Sequence, residues 1–566
     1  MQKLFTATGE ALAGIPWNIY PRPQMVRKEW LCLNGKWDFE YGKIRKTIEV
    51  PFCPESLLSG LNLEMVYGRK MIYSRRFILP ENWRGRRILL HFGAVSRAAE
   101  VCVNGKKAAS HEENYLPFSA DITDLIREGE NEIAVTAVND LSPRHLWGKQ
   151  KKKRGGMWYT PVSGICQTVW LEPVPEDYIH GLTIRTDGNT AEITAEGAED
   201  GTVELDGVPY PMADGKVRIE IPDPVHWCPE NPHLYRFSVE AGEDRVESYF
   251  ALRTLRVEQV RGKPRLCLNG KPYFFHGLLD QGYWSDGLYT PATPEGYADD
   301  IRAMKALGFN MLRKHIKIEP EQFYYDCDRM GMIVFQDMVN NGGYQYLRDT
   351  VLPTFGIGAR RNDSRLNRDP ETRKNFLNAM DATVRLLRNH PSVCLWTIFN
   401  EGWGQFNADE AYTRLKALDG TRFIDSTSGW YTRRLSDVES LHIYFKPLQT
   451  GKQDRPQVLS EFGGWSLKIP EHSFNREKTY GYKKYEDRKE FVRDLRALYL
   501  EQVLPLIPQG LCAAVYTQVS DVEDETNGLL TYDRRAAKVK PEEFRDISER
   551  LTAAPAEAGD GEMIQK

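Results

Sequence analysis

The chain lacks the features that mark several common protein classes. Its nine cysteines stand singly, with no CxxC or CxxH pattern, and the odd count argues against a disulfide framework. It contains no run of about 18 apolar residues that could cross a membrane, and the first residues contain no apolar stretch typical of a signal peptide. The net charge is only −4, which gives no electrostatic footprint for nucleic acid or a membrane surface. We therefore expect a cytoplasmic protein that binds neither.

Motifs for metal and phosphate chemistry are missing as well. No HExxH sequence or carboxylate cluster proposes a metal site, and the segment KRGG is not followed by the Gly-Lys-Ser/Thr of a phosphate-binding loop. We expect no metal and no cofactor. Aromatic residues, in contrast, are plentiful, at 11% of the chain with 13 tryptophans. Their rings can stack on the CH faces of sugars, although they also fill large cores.

The sequence pattern changes near residue 260, which divides the chain into two parts. Through 1–177 and then 178–260, short alternating segments are separated by turn residues, which predicts two all-β domains in series. From 261 to 552, eight strand-like runs alternate with helical patterns or long connections. Their number and spacing are typical of a (β/α)8 barrel, also called a TIM barrel. The last residues, 553–566, are predicted to form a disordered tail.

Polar residues concentrate at the carboxyl ends of the predicted barrel strands, where the active sites of such barrels lie. These residues are Asp280, His315, Asp337, Glu401, His442, Tyr444, Glu461 and Gln518. The clearest case follows the apolar run VCLWTIF (393–399), where Asn400, Glu401 and Gly402 break the pattern. A carboxylate at the end of a buried strand, beside an amide, indicates a catalytic role.

Two glutamates stand out among these residues. Glu401 in FNEGWG and Glu461 in SEFGGW each follow an apolar run and lie in a glycine-rich aromatic setting. We assign them to the fourth and seventh strands, so that both side chains point into one mouth. Glycoside hydrolysis needs two facing carboxyl groups, one to protonate the leaving oxygen and one to attack the anomeric carbon or activate water. A single glutamate would more commonly be an exposed loop residue.

The segments around these glutamates resemble glycoside hydrolase family 2. RNHPSVCLWTIFNEGWG (388–404) is similar to the acid/base signature of that family, and VLSEFGG (458–464) to its nucleophile segment. Further similar segments are YPRPQMVRKEWLCLNGKWDFEY (20–41), WCPENPHLY (227–235) and FFHGLLDQGYWSDGLYTP (274–291). The resemblance implies a sugar-binding jelly-roll, an immunoglobulin-like sandwich and a catalytic TIM barrel. It also implies a retaining mechanism with Glu461 as nucleophile and Glu401 as acid/base.

Further site residues follow from the strand ends and from the resemblance. The resemblance implies that Arg313 braces the nucleophile, that His315 contacts the substrate and that Tyr444 hydrogen-bonds the nucleophile. Tyr516 stands where the family often has a tryptophan beneath the sugar. Other expected substrate contacts are Asp280, Asp337, Asn400, His442 and Trp465. For these residues, core packing or loop bracing is the competing interpretation.

A basic run, KQKKKRGG (149–156), precedes Trp158 and Tyr159. Two interpretations are open. The run is either a solvated loop or a first-domain loop that reaches over the barrel mouth, with the two aromatic residues as part of the wall.

The predicted function is a retaining exo-β-glycosidase acting on a glycoside or an oligosaccharide. The alternative from another class is a non-catalytic carbohydrate-binding protein, which is disfavoured because such proteins normally lose one of the two glutamates. A transglycosylase would use the same residues. Assembly into a homo-oligomer is left open.

For the terminal sugar we prefer galactose, which makes the chain a β-galactosidase, over glucuronide or galacturonide. The segment after the eighth strand is acidic, and its carboxylates would repel a uronate. They belong to Asp521, Glu523, Asp524 and Glu525. Arg360, Arg361 or the basic run could supply a cation instead, which keeps β-glucuronidase and β-galacturonidase as alternatives.

Overall fold

The first part of the chain folds as an antiparallel β-sandwich. A computed structural model of the protein describes residues 1–354, 357, 362–451 and 454–560. A six-stranded sheet and a four-stranded sheet form the two main layers, with a two-stranded sheet beside them. The strands are Leu31–Cys32, Gly35–Tyr41, Ile44–Val50, Met71–Ile78, Arg87–Phe92, Val95–Ser96, Ala98–Val103, Lys106–Glu112, Phe118–Asp121, Glu130–Val138, Gly164–Ile165 and Val169–Val174. Alternate residues such as Trp37, Phe39 and Tyr41 are buried, as expected for strands with one face on a core.

A second, smaller sandwich follows. A three-stranded and a four-stranded sheet share a core that includes Ile193, Val203 and Val239. The strands are Gly181–Asp187, Thr190–Glu196, Gly201–Leu205, Val208–Met212, Lys216–Glu220, Tyr235–Ala241 and Asp244–Phe250. A further three-stranded sheet, Leu255–Val260, Lys263–Leu268 and Lys271–Pro272, leads into the barrel.

The third part is a barrel of eight parallel strands, numbered one to eight here. They are Phe275–Asp280, Met311–Lys314, Ile333–Asp337, Val393–Asn400, Phe423–Ser428, Glu439–Ile443, Gln457–Gly463 and Leu511–Thr517. Their hydrogen-bonded order is five, four, three, two, one, eight, seven, six, so strands five and six stand at the two ends of the order. The predicted order of two all-β domains and a (β/α)8 barrel is therefore confirmed.

Helices surround the barrel and join its strands. The α-helices are Ala7–Glu10, Glu295–Ala306, Glu321–Met330, Leu352–Thr354, Pro370–Leu387, Ala408–Leu418, Arg488–Ala497 and Arg545–Asp560. The helix Pro370–Leu387 illustrates why they form: the side chain of Asp369 accepts a hydrogen bond from the Thr372 nitrogen, and proline occupies the first turn. Its buried Phe376, Met380 and Val384 recur every four residues and face the barrel core.

Short segments complete the fold. The π-helical turns are Leu347–Val351 and Leu498–Val503, and the 3₁₀ turns are Glu81–Trp83, Thr123–Leu125, Asp363–Arg365, Pro470–His472, Leu504–Leu506 and Pro541–Glu543. Ser466–Leu467 pairs with Lys484–Tyr485 beyond strand seven. Among the described residues, none of the helices combines the length and the apolar character that a membrane span requires.

The predicted disordered tail, 553–566, is in part helical. The last helix, Arg545–Asp560, continues into it, and residues 561–566 lie outside the described part. Buried Ile547 and Leu551 anchor this helix on the barrel, and the alanines that follow have high helix propensity, so the turns continue past residue 553.

Alternation along the barrel strands decides which side chains enter the barrel. Successive residues of a strand point to opposite faces of the sheet. Leu279 of strand one is level with Arg313 of strand two, and Asp280 is level with Lys314. Arg313 points into the mouth of the barrel. The Lys314 ammonium lies on the outer side instead, 4.2 Å from the ring centre of Phe323 in the helix Glu321–Met330.

Candidate active site

A cavity opens at the carboxyl ends of the barrel strands. Its lining comes from the barrel and from a first-domain loop. The lining residues are Lys149, Met157, Trp158, Leu279, Gln281, His315, Tyr344, Asn400, Glu401, Trp403, Tyr444, Glu461, Tyr480, Tyr482, Thr517, Glu525 and Asn527. Most are aromatic or polar, which is the composition of a site that holds a small polar ligand.

Arg313 positions the Glu461 carboxylate. Its Nη1 donates to Glu461 Oε1 at 3.0 Å and to the Ser460 carbonyl at 3.0 Å. Its Nη2 donates to Asn400 Oδ1 at 2.8 Å, and its Nε donates to Asp337 Oδ1 at 2.9 Å. The guanidinium is fully buried between strands two, three, four and seven. One rigid fork of donors therefore fixes three side chains at once.

Asp337 is a positioning residue for Arg313 and His315. Its second oxygen accepts from His315 Nδ1 at 2.7 Å, which leaves His315 Nε2 without a hydrogen-bond partner among the described residues. Burial lowers the pKa of His315 to about 4, since it outweighs the opposing effect of Asp337. A neutral ring with its proton on Nδ1 presents Nε2 to the cavity as an acceptor for a sugar hydroxyl.

His442 connects the two glutamates. Its Nδ1 lies 2.8 Å from Glu401 Oε1, and its Nε2 lies 3.6 Å from Glu461 Oε1 and 3.2 Å from Ser428 Oγ. The ring packs against Gly429, where a Cβ atom would stand 2.9 Å from Nδ1 on a backbone with φ of 103°. Any larger residue at 429 would displace the imidazole, so glycine is required there.

Glu401 follows strand four on a left-handed backbone, with φ of 53°. Its main-chain nitrogen donates to the Ser428 carbonyl at 2.9 Å, which fixes the turn. The next residue, Gly402, has φ of 73°, and a Cβ there would come within 2.3 Å of the Tyr431 ring. The Glu401 side chain keeps 19% of its surface exposed, against 7% for Glu461. One carboxyl group therefore lies at the mouth and the other lies deeper.

The two carboxyl groups face each other at short range. Oxygen atoms of Glu401 and Glu461, with one nitrogen of His442, all lie within 4.8 Å of one another. Retaining glycosidases place their carboxyl groups about 5–5.5 Å apart, whereas inverting enzymes need about 6.5–9.5 Å to admit a water molecule. Nearest oxygens at this distance fit the shorter separation, at which one carboxylate can attack the sugar directly.

The surroundings of Glu461 favour its ionised form. Burial by itself would raise the pKa of this carboxyl group, but His442, Arg313 and Lys149 hold it well below its ordinary value. The Tyr444 hydroxyl donates to the second oxygen, Oε2. Each oxygen thus has a fixed donor, which is the environment of a carboxylate that stays charged near neutral pH.

The same three residues, Glu401, His442 and Glu461, form the one cluster in the described chain whose ligand atoms lie close enough to share a metal ion. Arg313 Nη1 lies 3.0 Å from Glu461 Oε1 and 3.5 Å from His442 Nε2. A fixed guanidinium at that distance would repel a divalent cation. The cluster is better suited to hydrogen bonding than to metal binding.

The structure brings together most, but not all, of the site residues expected from the sequence. Glu401, Glu461, His315, Asn400 and Tyr444 line the cavity. Behind them, Arg313, Asp337 and His442 hold the lining residues in place. Asp337 and His442 were expected to contact the substrate, but neither lines the cavity. These eight residues form one hydrogen-bonded group.

Three of the expected substrate contacts lie elsewhere. Asp280 points to the outer side of strand one, where its carboxylate accepts from Lys314 Nζ at 2.5 Å. Tyr516 is level with Phe462, is fully buried and packs against Phe462 and Tyr499 in the layer between strands and helices. In both cases the alternation of the strand turns the side chain away from the cavity, and the neighbours Leu279 and Thr517 line it instead.

Trp465 is the third expected substrate contact that lies outside both the cavity and the hydrogen-bonded group behind it. It lies beyond the end of strand seven, with its ring centre 5.8 Å from that of Tyr485 and 4.9 Å from Lys483 Nζ. The pairing of Ser466–Leu467 with Lys484–Tyr485 draws this segment to the outside of the barrel. The tryptophan therefore covers the short sheet and not the cavity.

The acidic segment after strand eight is mostly neutralised. Asp521 accepts from Lys538 Nζ at 2.6 Å, and Glu523 accepts from Arg154 Nη1 at 3.1 Å. Asp524 faces a separate cleft, so Glu525 is the member of this segment that lines the cavity. Burial raises the pKa of Glu525. The expected acidic rim is thus a single carboxyl group, and Arg360 and Arg361 lie outside the described residues.

The basic run is divided between the two interpretations: Lys149 lines the cavity, whereas Lys152 and Lys153 are exposed to solvent. Trp158 stacks on Trp147 with ring centres 5.6 Å apart and meets Trp403, the residue two positions after Glu401, edge-on at 5.0 Å. Lys151 covers the Trp158 ring with its ammonium 4.1 Å from the ring centre. Lys149 lines the cavity, and its ammonium makes no hydrogen bond or ion pair with a described residue.

Several lining residues were not expected from the sequence. Tyr344, Tyr480, Tyr482, Thr517 and Asn527 lie on loops after strands three, seven and eight or at the end of strand eight. The signal was present in part, since the segment KTYGYKKY (478–485) alternates tyrosines with glycine and lysine. Nothing in that segment, however, indicates which ring faces the cavity.

The chain is similar to known proteins in its sequence and in its fold. Two models match the chain: the sugar binding domain of glycosyl hydrolases family 2 over residues 61–175 and the TIM barrel domain of the same family over residues 259–486. The β-galactosidase of Leuconostoc mesenteroides subsp. mesenteroides is 26% identical over 443 residues, 69% of this chain but 40% of that protein. The β-glucuronidase of Felis catus is 26% identical over 471 residues, 70% of this chain and 67% of that protein. The chain thus spans less than half the length of the first of these relatives.

Two solved structures are similar along nearly their whole length. The β-D-glucuronidase of Dictyoglomus thermophilum gives a TM-score of 0.73 at 19% identity, covering 94% of this chain and 98% of that one. The GH2 β-galacturonidase of Eisenbergiella tayi, bound to galacturonate, gives 0.68 at 20% identity and covers 94% and 99%. At these identities the likeness shows the shared fold.

Proposed function

This chain belongs to glycosyl hydrolases family 2, and we propose that it is a retaining exo-β-glycosidase that removes a terminal β-linked sugar. The observation that carries the proposal is the short distance between the Glu401 and Glu461 carboxyl groups, whose nearest oxygens lie within 4.8 Å of each other. The enclosed shape of the cavity, with the first-domain loop along one side, suits the end of a glycan better than its middle.

In the first step, Glu461 attacks the anomeric carbon and Glu401 gives its proton to the departing glycosidic oxygen. Arg313 and Tyr444 hold the two oxygens of Glu461 in place, so the attacking atom needs no reorganisation. The products of this step are a covalent glycosyl-enzyme and the free leaving group.

In the second step, Glu401 accepts a proton from water, which attacks the anomeric carbon and releases Glu461. His442 keeps the Glu401 carboxyl group facing that position through the 2.8 Å contact at Nδ1. Two displacements on opposite faces retain the β configuration of the sugar.

Sugar hydroxyls have two fixed partners near Glu461. His315 Nε2 is an acceptor, and the amide nitrogen of Asn400 is a donor, since its oxygen already accepts from Arg313. Both are held by buried groups, so they lose little freedom when the sugar binds.

For the sugar itself, the first candidate is galactose. Glu401, Glu461 and Glu525 place three carboxyl groups around the cavity, and the carboxylate of a uronic acid would add a fourth. Burial raises the pKa of Glu525, so its ionised form is less favoured than that of an exposed glutamate.

A uronic acid is the second candidate, and Lys149 is the observation that favours it. The ammonium of Lys149 lines the cavity without an ion pair to a described residue, so it is available to the carboxylate of a glucuronide or galacturonide. Relatives of both kinds are known, since the names of the similar proteins include β-galactosidase and β-glucuronidase.

Trapping of the intermediate tests the mechanism. A 2-deoxy-2-fluoro glycoside with a good leaving group should label the protein once, and peptide mass analysis should find the sugar on Glu461. Proton NMR of the first product should show the β anomer. Label on another residue, or an α product, would contradict the proposal.

A panel of p-nitrophenyl β-glycosides tests the sugar. We expect the highest kcat/KM for the galactoside if the carboxyl groups dominate, and for the glucuronide or galacturonide if Lys149 dominates. Lys149→Met should lower kcat/KM by about tenfold for uronides but by less than about twofold for the galactoside. Lys106→Met, an exposed lysine on a first-domain strand, is the control and should change neither.

A further inference from the structure

A basic cleft lies next to the active-site cavity and outside the machinery described so far. It is lined by Lys152, Lys153 and Arg154 of the first domain and by Arg476 and Lys478 from the segment after strand seven. Glu477 and Asp524 are its acidic residues, so the cleft has three more cations than carboxylates. Charged residues on surfaces normally alternate in sign, and this excess is concentrated on two facing segments.

Most of these cations have no internal partner. Arg154 pairs with Glu523, and Arg476 Nη2 donates to Gln2 Oε1 at 3.1 Å, but Lys152, Lys153, Arg476 and Lys478 make no ion pair with a described residue. All four are exposed to solvent. Their charges therefore do not support the fold and are free to meet an anion.

The backbone on both sides of the cleft is held in place. Lys468 Nζ donates to the carbonyl oxygens of Arg476 and Lys478 at 2.6 and 3.0 Å, which pins the turn between them. On the other side, the Arg154 guanidinium lies 4.7 Å from the ring centre of Phe474. The backbone that carries these cations is thus held in place on both sides of the cleft, which lowers the entropy lost when an anion binds.

The cleft lies beside the rim of the cavity, and the two are lined by neighbouring residues. Asp524 lines the cleft, and its neighbour Glu525 lines the cavity. Tyr480, another cavity residue, donates from its main-chain nitrogen to the Asp524 carbonyl at 2.7 Å. A leaving group that extends from the cavity past Tyr480 would meet this cleft.

We propose that the natural substrate is an anionic oligosaccharide whose leaving-group portion carries a carboxylate or sulfate group into this cleft. The proposal rests on the proposed function, because it assumes that the cleaved bond lies between Glu401 and Glu461. It assigns the charge to the part of the substrate that leaves and not to the sugar in the cavity.

Three matched disaccharides test the proposal. Each carries the terminal sugar that gives the highest kcat/KM in the glycoside panel, β-linked to glucose, to glucuronic acid or to glucose 6-sulfate. We expect kcat/KM for the two anionic substrates to exceed that for the neutral one by about tenfold at low ionic strength. In 0.5 M NaCl the ratio should fall below about threefold, since salt screens exposed charges. A larger gain for the glucuronic acid or for the sulfate identifies which anion the cleft prefers.

Substitutions in the cleft test whether its cations cause the preference for anionic disaccharides. The double variant Lys152→Ser/Lys153→Ser and the double variant Arg476→Ser/Lys478→Ser should each reduce the anionic-to-neutral ratio about threefold or more. The control, Lys46→Ser/Lys106→Ser, removes two exposed lysines from first-domain strands and should leave the ratio unchanged. A ratio near one in the unmodified protein, or one that the cleft variants do not alter, would overturn the proposal.

Binding measurements separate this proposal from the proposed function. If no glycoside in the panel is hydrolysed, the proposed function has failed, and calorimetric titration of the three disaccharides in the β-galactosyl series still tests the cleft. Tighter binding of the anionic disaccharides, lost in the cleft variants, would support an anion-binding cleft. Equal affinity for all three would refute it.

Discussion

Arg313 and Lys314 are neighbours in strand two, both are buried cations, and they serve opposite purposes. Lys314 Nζ pairs with Asp280 at 2.5 Å and Glu319 at 2.8 Å, and Glu319 in turn pairs with Lys317 at 2.9 Å. Every charge of that cluster has its partner inside the cluster. The Arg313 cluster instead keeps one side of Glu461 and one nitrogen of His315 facing the cavity.

The difference shows that the two faces of strand two have different roles. The outer face stabilises the fold, and the inner face holds the catalytic groups. The outer cluster ties the loops after strands one and two together, since Lys317 also donates to the Gly282 and Tyr289 carbonyls. The inner cluster holds carboxyl groups in a geometry that only a substrate completes. Substitutions in the inner cluster should affect turnover, and substitutions in the outer cluster should affect folding.

The largest effect should come from Glu461→Gln. An amide cannot attack the anomeric carbon, so kcat should fall by about 10⁴-fold or more while the thermal unfolding temperature changes little. Steady-state kinetics and a melting curve check both parts. Activity within about tenfold of the unmodified protein would show that Glu461 is not the nucleophile.

Glu401→Gln should show an effect that depends on the leaving group. Removal of the general acid should cost about 10²–10⁴-fold on a disaccharide but much less on a 2,4-dinitrophenyl glycoside, which departs without a proton. The measurement is kcat/KM for the two substrates with the same sugar. Equal losses on both would assign Glu401 a different role.

Tyr444→Phe should have an intermediate effect on activity and a defined pH signature. Loss of the hydrogen bond to Glu461 should lower kcat by about 100-fold. Because a donor stabilises the ionised form, its loss should raise the pKa of Glu461, and the acid limb of kcat/KM should move to higher pH. An unchanged acid limb with a lower kcat would indicate a purely structural role for the tyrosine.

Lys314→Met should affect stability and spare the chemistry. It leaves the buried Asp280 carboxylate without its cation and Glu319 with Lys317 alone, which should lower the free energy of unfolding by about 3 kcal/mol. Chemical denaturation measures this loss of stability. The kcat of the folded protein at low temperature shows whether turnover is unchanged. A loss of turnover as large as that of Tyr444→Phe would erase the distinction between the two clusters.

Tyr516→Phe should have the smallest effect. The hydroxyl lies in the layer behind the strands with no hydrogen-bond partner within range among the described residues, so its removal should change stability by less than about 1 kcal/mol. kcat/KM should stay within about twofold, because the ring does not reach the cavity. Thr517→Val, one residue along and facing the cavity, is the matched comparison and should lower kcat/KM more.

Much of this molecule was predictable because its signals are local. The switch from short alternating strands to strands separated by helices predicts two β-domains and a barrel. Glu401 and Glu461 were identifiable because each carboxylate interrupts an apolar run before glycine, a pattern that packing alone does not require. Segments similar to a known family added the expected roles of Arg313, His315 and Tyr444.

The sequence by itself therefore determined the order of the domains and the two glutamates at the barrel mouth. Only the tertiary structure decided which neighbour of each strand end faces the cavity, because the register with adjacent strands turns Leu279 and Thr517 inward and Asp280 and Tyr516 outward. It also decided the charge of the mouth, since Arg154 and Lys538 neutralise an acidic segment and Lys149 enters the cavity. The physical reason is distance along the chain: Arg154 and Glu523 are 369 residues apart, and no local pattern encodes a contact that folding alone creates.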